Sequence, residues 1–189
     1  GATTTPMDEI VALIRTELEG LVAAGADYIQ LDEPGLTGNP YGLGPEQAAE
    51  VINQVLRGLP GKLAVHVCFG NNAGRPAMDR RMARLLPAIE RLECHQLVLE
   101  FANRQMADLE ILKPLSEHFD IAAGLIDVKN WYLETPDDVA RRIRQCLDLV
   151  PAEKLTVTAD CGFSALPRYL AREKMRAMVA GARLVRAEL

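Results

Sequence analysis

The chain is poor in aromatics and has no long apolar stretch. Aromatic residues make up 5% of it, Trp occurs once, and the net charge is −5. No basic surface with interleaved rings can form from such a composition, which excludes nucleic acid as the expected partner. Its apolar runs fall far short of the roughly 18 residues that a membrane span needs. The opening residues Gly1-Ala2-Thr3-Thr4-Thr5-Pro6 carry neither the basic nor the apolar region of a signal peptide, and they lack an initiator Met. A cytoplasmic chain, processed or trimmed at its start, is the expectation. Cysteines number four (Cys68, Cys94, Cys146 and Cys161) and are too scattered for a small secreted disulfide framework. In a reducing compartment, dispersed cysteines are buried thiols or metal ligands. No GxGxxG, P-loop or nucleophile-elbow motif occurs.

What is present alternates strand with helix. Helical periodicity covers residues 7–24, with Gly25 just past the end. Strands are expected at 27–31, 63–69, 96–101, 121–127 and 155–159. Helices are expected at 45–59, 77–92, 107–118, 136–149 and 167–188, with a Gly-rich loop at 35–44. Five apolar strands alternating with helices predict a parallel sheet covered on both faces. Polar residues gather where the strands stop: Asp32, His66, Cys68, Glu100, Asp127, Asp160 and Cys161. Convergence of strand ends is the active-site geometry of a (β/α)8 TIM barrel. An eight-unit barrel takes about 250 residues, and this chain supplies five units. The expectation is therefore a single catalytic, partial β/α-barrel domain over residues 1–189, strands four to eight of a TIM barrel. A five-stranded open sheet is the alternative.

The strand-end residues form a ligand set. His66 and Cys68 are two apart and share one side of a strand. Glu100 closes the run LVLE, where a buried carboxylate is costly without a partner. Cys161 occupies the equivalent point of the last strand. An imidazole, two thiolates and a carboxylate suit tetrahedral Zn²⁺ better than calcium or magnesium, which prefer oxygen. In such a site an incoming thiol would displace Glu100 and bind as thiolate.

Other residues have weaker claims. Asp32 and Glu33 close the first strand as a cap or as an anion for a substrate ammonium. Asp127 and Lys129, at the fourth strand end, are candidates for a polar or acid role, and Arg75 for holding a substrate anion. Cys94-His95 precedes its strand and so lies at the wrong end of a barrel. Cys146 reads as core, His118 as a helix end, and Trp131 and Tyr132 as pocket wall or packing.

YIQLDEP, HVCFGN, LVLEF, GLIDVKN and TADCGF, in this order, resemble the catalytic domain of the cobalamin-independent methionine synthase family. The tail from Leu166 also looks like its short, single-domain members, which include zinc enzymes that alkylate coenzyme M with epoxides. The resemblance implies a β/α barrel with zinc on His66, Cys68, Glu100 and Cys161, and Asp32 on the homocysteine amino group. It implies methyl transfer from a methylated folate to the homocysteine sulfur. Two positions depart from the pattern. Lys129 stands where full-length members carry a histidine proton donor, and Gly38 where they carry a glutamate of the folate site. A corrinoid protein, another methyl carrier or an epoxide would then supply the alkyl group.

The expected partners are a small thiol and an alkyl donor. The missing N-terminal barrel segment, as a separate chain, is a further one. A half-built barrel exposes two sheet edges, which also allows a homo-oligomer, and a truncated non-catalytic barrel is the remaining alternative.

Overall fold

The computed structural model describes residues 6–33, 35–38, 42–71 and 81–189. Its elements run α1 (Met7–Ala23), β1 (Tyr28–Glu33), α2 (Gly35–Gly38), α3 (Pro45–Leu56), β2 (Lys62–Val67), α4 (Leu86–Ile89), β3 (Gln96–Glu100), α5 (Leu112–His118), β4 (Asp120–Ile126), α6 (Pro136–Leu147), β5 (Leu155–Ala159) and α7 (Arg168–Arg186).

The five strands are parallel and lie in the order β1-β2-β3-β4-β5. A doubly wound sheet needs a point where this order reverses, and the described strands contain none. With right-handed crossovers throughout, sequential order keeps every helix on one face. That is the arrangement of consecutive units in a β/α barrel.

Side-chain alternation divides the two faces. Leu63, Val65, Val67, Leu97, Leu99, Ile121, Ala123 and Leu125 enter the main core between sheet and helices. The alternate positions Ala64, Val98 and Ala122 form a small cluster of their own on the other face. Polar groups on that face reach across alternate strands. The Tyr28 hydroxyl of β1 donates to Gln96 Oε1 of β3 at 2.6 Å, and Gln96 Nε2 donates to Thr156 Oγ1 of β5 at 3.2 Å. Side chains from alternate strands meet in this way in the layered interior of a β/α barrel.

Local chemistry explains the element ends. At α6, Thr135 accepts from the Asp138 N–H while Asp138 reaches back to the Thr135 N–H, with Pro136 at the first position. Two expected helices are shorter than their periodicity suggested. Within 77–92, the described part is a 3₁₀ turn at Met82–Leu85 followed by the single turn α4, which carries Pro87 near its start. Within 107–118, the positive φ of Asp108 delays the helix to a 3₁₀ turn at Leu109–Ile111, which leads into α5 at Leu112. Part of the expected loop 35–44 is the one-turn α2. Strand β1 runs on through Asp32 and Glu33, whereas β2 stops at Val67, just before Cys68.

Candidate metal centre

Three strand-end residues converge. His66 on β2, Cys68 just beyond it and Cys161 just beyond β5 place their donor atoms within 4.8 Å of one another. Parallel strands bring the two exits to one end of the sheet, while β3 and β4 separate them along it. Curling of the sheet therefore closes this distance.

His66 is oriented for ligation. Its Nδ1 lies 3.2 Å from the Val98 carbonyl oxygen. A proton on Nδ1 fixes the tautomer that leaves a lone pair on Nε2. Nε2 is buried and has no hydrogen-bond partner among the described residues. Such an orphaned nitrogen beside two sulfurs is what a metal would satisfy.

Electrostatics separates the two thiols. The Cys68 thiol and the His66 ring hold Cys161 well below the ordinary thiol range, against its burial. Cys68 is pushed up, by Cys161 first and by its own burial, with Glu100 adding to the effect. Burial lowers the basicity of His66, but Cys161 and then Asp32 outweigh it, so the ring is raised overall. Imidazole and thiolate donors suit zinc and similar borderline-soft ions.

Glu100 stands outside the three-donor group. Its side chain is fully buried, and its Oε2 lies 2.5 Å from the Lys129 Nζ, itself 1% exposed. The other oxygen, Oε1, is buried with no partner among the described residues.

Asp160, next to Cys161, was legible only as a polar strand end. It is fully buried and accepts three main-chain N–H bonds, from Phe101 (2.9 Å), Ala102 (2.9 Å) and Asn103 (2.6 Å). Burial, helped by the Glu100 charge, pushes its carboxyl up to about 8 against these donors. The contact ties the exit of β5 to the exit of β3 across β4.

Asp127 is likewise a bracket. It accepts from the Lys129 N–H at 2.7 Å and from the side-chain amides of Asn103 and Asn130. Its own N–H donates to Glu134 Oε1 at 2.9 Å. Glu134 in turn is held by Lys174 (2.7 Å) and Arg142 (3.3 Å). Sequence reading missed Glu134 and Lys174. The signal was there: Lys174 shares the buried stripe of α7 with Leu170, Ala171, Ala177 and Gly181.

The two carboxylates of β1 part company. Asp32 pairs in register with His66 and accepts from Gln30 Nε2 at 2.7 Å. Glu33 points to the helix side, where its Oε1 accepts the Leu36 N–H at 3.2 Å and burial raises its pKa. Adjacent strand residues face opposite ways: Glu33 caps the turn at Leu36, and Asp32 lies beside His66. Arg75 lies outside the described residues.

Cys94 and Cys146 are each pushed up to about 12, chiefly by burial, as suits structural thiols. His95 accepts the Leu63 N–H through Nδ1 at 3.0 Å, at the opposite end of the strands from the donor group. Trp131 and Tyr132 are exposed.

The fold and donor set together define a segment of a β/α barrel with an imidazole–thiolate centre at its C-terminal mouth. The profile of the family described as "Cobalamin-independent synthase, Catalytic domain" matches residues 3–184, and the chain belongs to that family. A methionine synthase of Pyrococcus abyssi is 35% identical over 181 residues, which is 96% of this chain and 50% of that protein. A 2-hydroxypropyl-CoM lyase of Xanthobacter autotrophicus is 35% identical over 209 residues, covering 95% and 54%. The structure of a B12-independent methionine synthase from Shewanella sp. W3-18-1, in complex with selenomethionine, superposes with a TM-score of 0.82 at 28% identity. It covers 95% of this chain and 54% of that one. The chain thus spans about half the length of the curated relatives it matches. None of its described helices is long and apolar enough to cross a membrane.

Proposed function

We propose that the chain carries the zinc-binding half of a thiol alkyltransferase, with homocysteine as the thiol and a methyl group as the transferred unit. The observation that carries this reading is the meeting of His66, Cys68 and Cys161 within 4.8 Å, with a buried Nε2 that has no hydrogen-bond partner among the described residues. His66, Cys68 and Cys161 would hold the ion, with Glu100 as the fourth donor. Zinc bound there would deprotonate a coordinating thiol while the thiolate ligands keep its sulfur nucleophilic. Asp32, beside His66 on the strand ends, would take the substrate ammonium. Asp127 and Lys129 border the same mouth, Lys129 as a cation beside Glu100. Relatives about twice as long support a second segment of about three βα units that completes the barrel. A cavity of about 460 Å³ of mixed polar and apolar lining, between α6, β5 and α7, lies at the open β5 edge, where such a unit would pack.

The test is elemental analysis of protein purified without chelator. One zinc per chain, lost in Cys161→Ala, supports the centre; no zinc, or uptake indifferent to Cys161, refutes it. Zinc-edge absorption should then gain a sulfur ligand on addition of homocysteine.

The relative named 2-hydroxypropyl-CoM lyase favours a second reading, alkylation of a sulfonate thiol such as coenzyme M. That thiol has no ammonium. Asp32→Ala should therefore damage homocysteine use far more than coenzyme M use, and equal losses would count against this role for Asp32.

A further inference from the structure

We infer that Lys129 competes with the metal for the Glu100 carboxylate, and so acts as the positioning residue that keeps one coordination position open to an incoming thiol. The inference rests on the zinc reading above.

Lys129 and Glu100 are 1% and 0% exposed, so each charge depends on a partner. The ammonium takes Oε2 at 2.5 Å, and Oε1 has no partner among the described residues. Glu100 also sits close enough to Cys68 for its charge to be felt there, yet it is not one of the three donors grouped within 4.8 Å. The carboxylate therefore lies between two cationic claims, the Lys129 ammonium and an ion at the thiolates. Lys129 cannot easily withdraw. Its N–H is tied to Asp127, whose own N–H is tied to Glu134, which Lys174 and Arg142 hold in place. The main chain beneath Lys129 is thus anchored and its side chain buried, which keeps the ammonium at the mouth, while Glu100 has an oxygen that Lys129 does not take. Any carboxylate density drawn toward Lys129 is lost to the metal, which weakens Glu100 as a ligand.

The experiment measures zinc affinity by competition with a chromophoric chelator. It compares the wild type, Lys129→Gln, Glu100→Gln, the double variant and Lys129→Arg, with thermal melts to confirm folding. Lys129→Gln should bind zinc about tenfold more tightly, the scale of an outer-shell change at a metal site. That gain should vanish when the same change is made on Glu100→Gln, and Lys129→Arg should behave as wild type. The homocysteine dissociation constant of zinc-loaded Lys129→Gln should rise in parallel.

Unchanged or weaker zinc binding in a folded Lys129→Gln overturns the inference. So does a gain that persists without Glu100, which would be mere repulsion between ammonium and metal. If Lys129→Gln fails to fold, the double variant decides, because it replaces both charges with amides of similar shape. Zinc affinity equal to that of Glu100→Gln alone supports the inference, and a double variant that binds more tightly than Glu100→Gln overturns it. A wild type that takes up no zinc overturns the underlying reading instead. That pattern is distinct, because then no variant, Cys161→Ala included, differs from it.

Discussion

A Cβ atom at Gly124 would lie 2.6 Å from Asp160 Oδ1 and 2.8 Å from the Asp160 Cα. The missing side chain on β4 is the gap through which Asp160 reaches the main chain after β3. Gly124→Ala should push Asp160 off its three N–H donors and cost about 1–3 kcal/mol of stability, the usual range for overpacking. Urea unfolding measures the loss. Zinc affinity should fall too, because Cys161 follows Asp160 directly. A stability within about 0.5 kcal/mol of wild type would mean that β4 can shift to admit a methyl group.

Cys161 is the thiol held as thiolate by its neighbours. Metal-free protein should be alkylated by iodoacetamide at Cys161 first, with a rate nearly flat between pH 6 and 8. The sign follows from its lowered pKa: the thiolate is already formed below neutrality and is lost only in acid. Cys94 and Cys146, raised and shielded, should remain unmodified, and zinc should protect Cys161. Peptide mass mapping reads all of this, and preferential labelling of Cys94 would contradict it.

Lys174 and Glu134 are both fully buried and 2.7 Å apart. Lys174→Met should cost about 3 kcal/mol, because removing one partner strands the other charge. Arg142 still touches Glu134 and limits the loss. Adding Glu134→Gln to Lys174→Met should recover part of it, since an amide needs no counter-charge. A double variant weaker than the single one would show that Glu134 matters for its bonds to the loop rather than for its charge.

The α6 cap offers a pH test. Asp138 is held well below the usual carboxylate range, mainly by the Thr135 main-chain N–H and hydroxyl. A lowered carboxyl pKa contributes stability above the unfolded value and loses it as pH falls through the folded one. Asp138→Asn should therefore destabilise at pH 7 and by less near pH 2, where part but not all of that contribution has been lost. Thr135→Ala should cost about 1 kcal/mol at neutral pH. Thermal melts at the two pH values check both, and an Asp138→Asn penalty independent of pH would assign the stabilisation to shape alone.

The family match bears out the resemblance read from YIQLDEP, HVCFGN and TADCGF, and the sequential parallel sheet agrees with the barrel segment expected from five strand–helix units. Element ends were less legible. Pro87 and the left-handed residues after β3 shorten helices whose apolar spacing alone promised more turns. Asp32 and Glu33 read as one acidic pair, but strand pleating sends them to opposite faces.

Composition and period by themselves determined the strand–helix alternation, the placement of polar residues at strand ends and the zinc-suited donor types. Those properties are local: they depend on side chains a few positions apart along the chain. Only the tertiary structure decided that Cys161 meets Cys68, that Asp160 crosses β4 through the gap at Gly124, and that Glu100 rests on Lys129. Each of these joins residues about 30 to 90 positions apart. The first follows from the curl of the parallel sheet and the other two from the pairing of β4 with its neighbours, which no local pattern encodes.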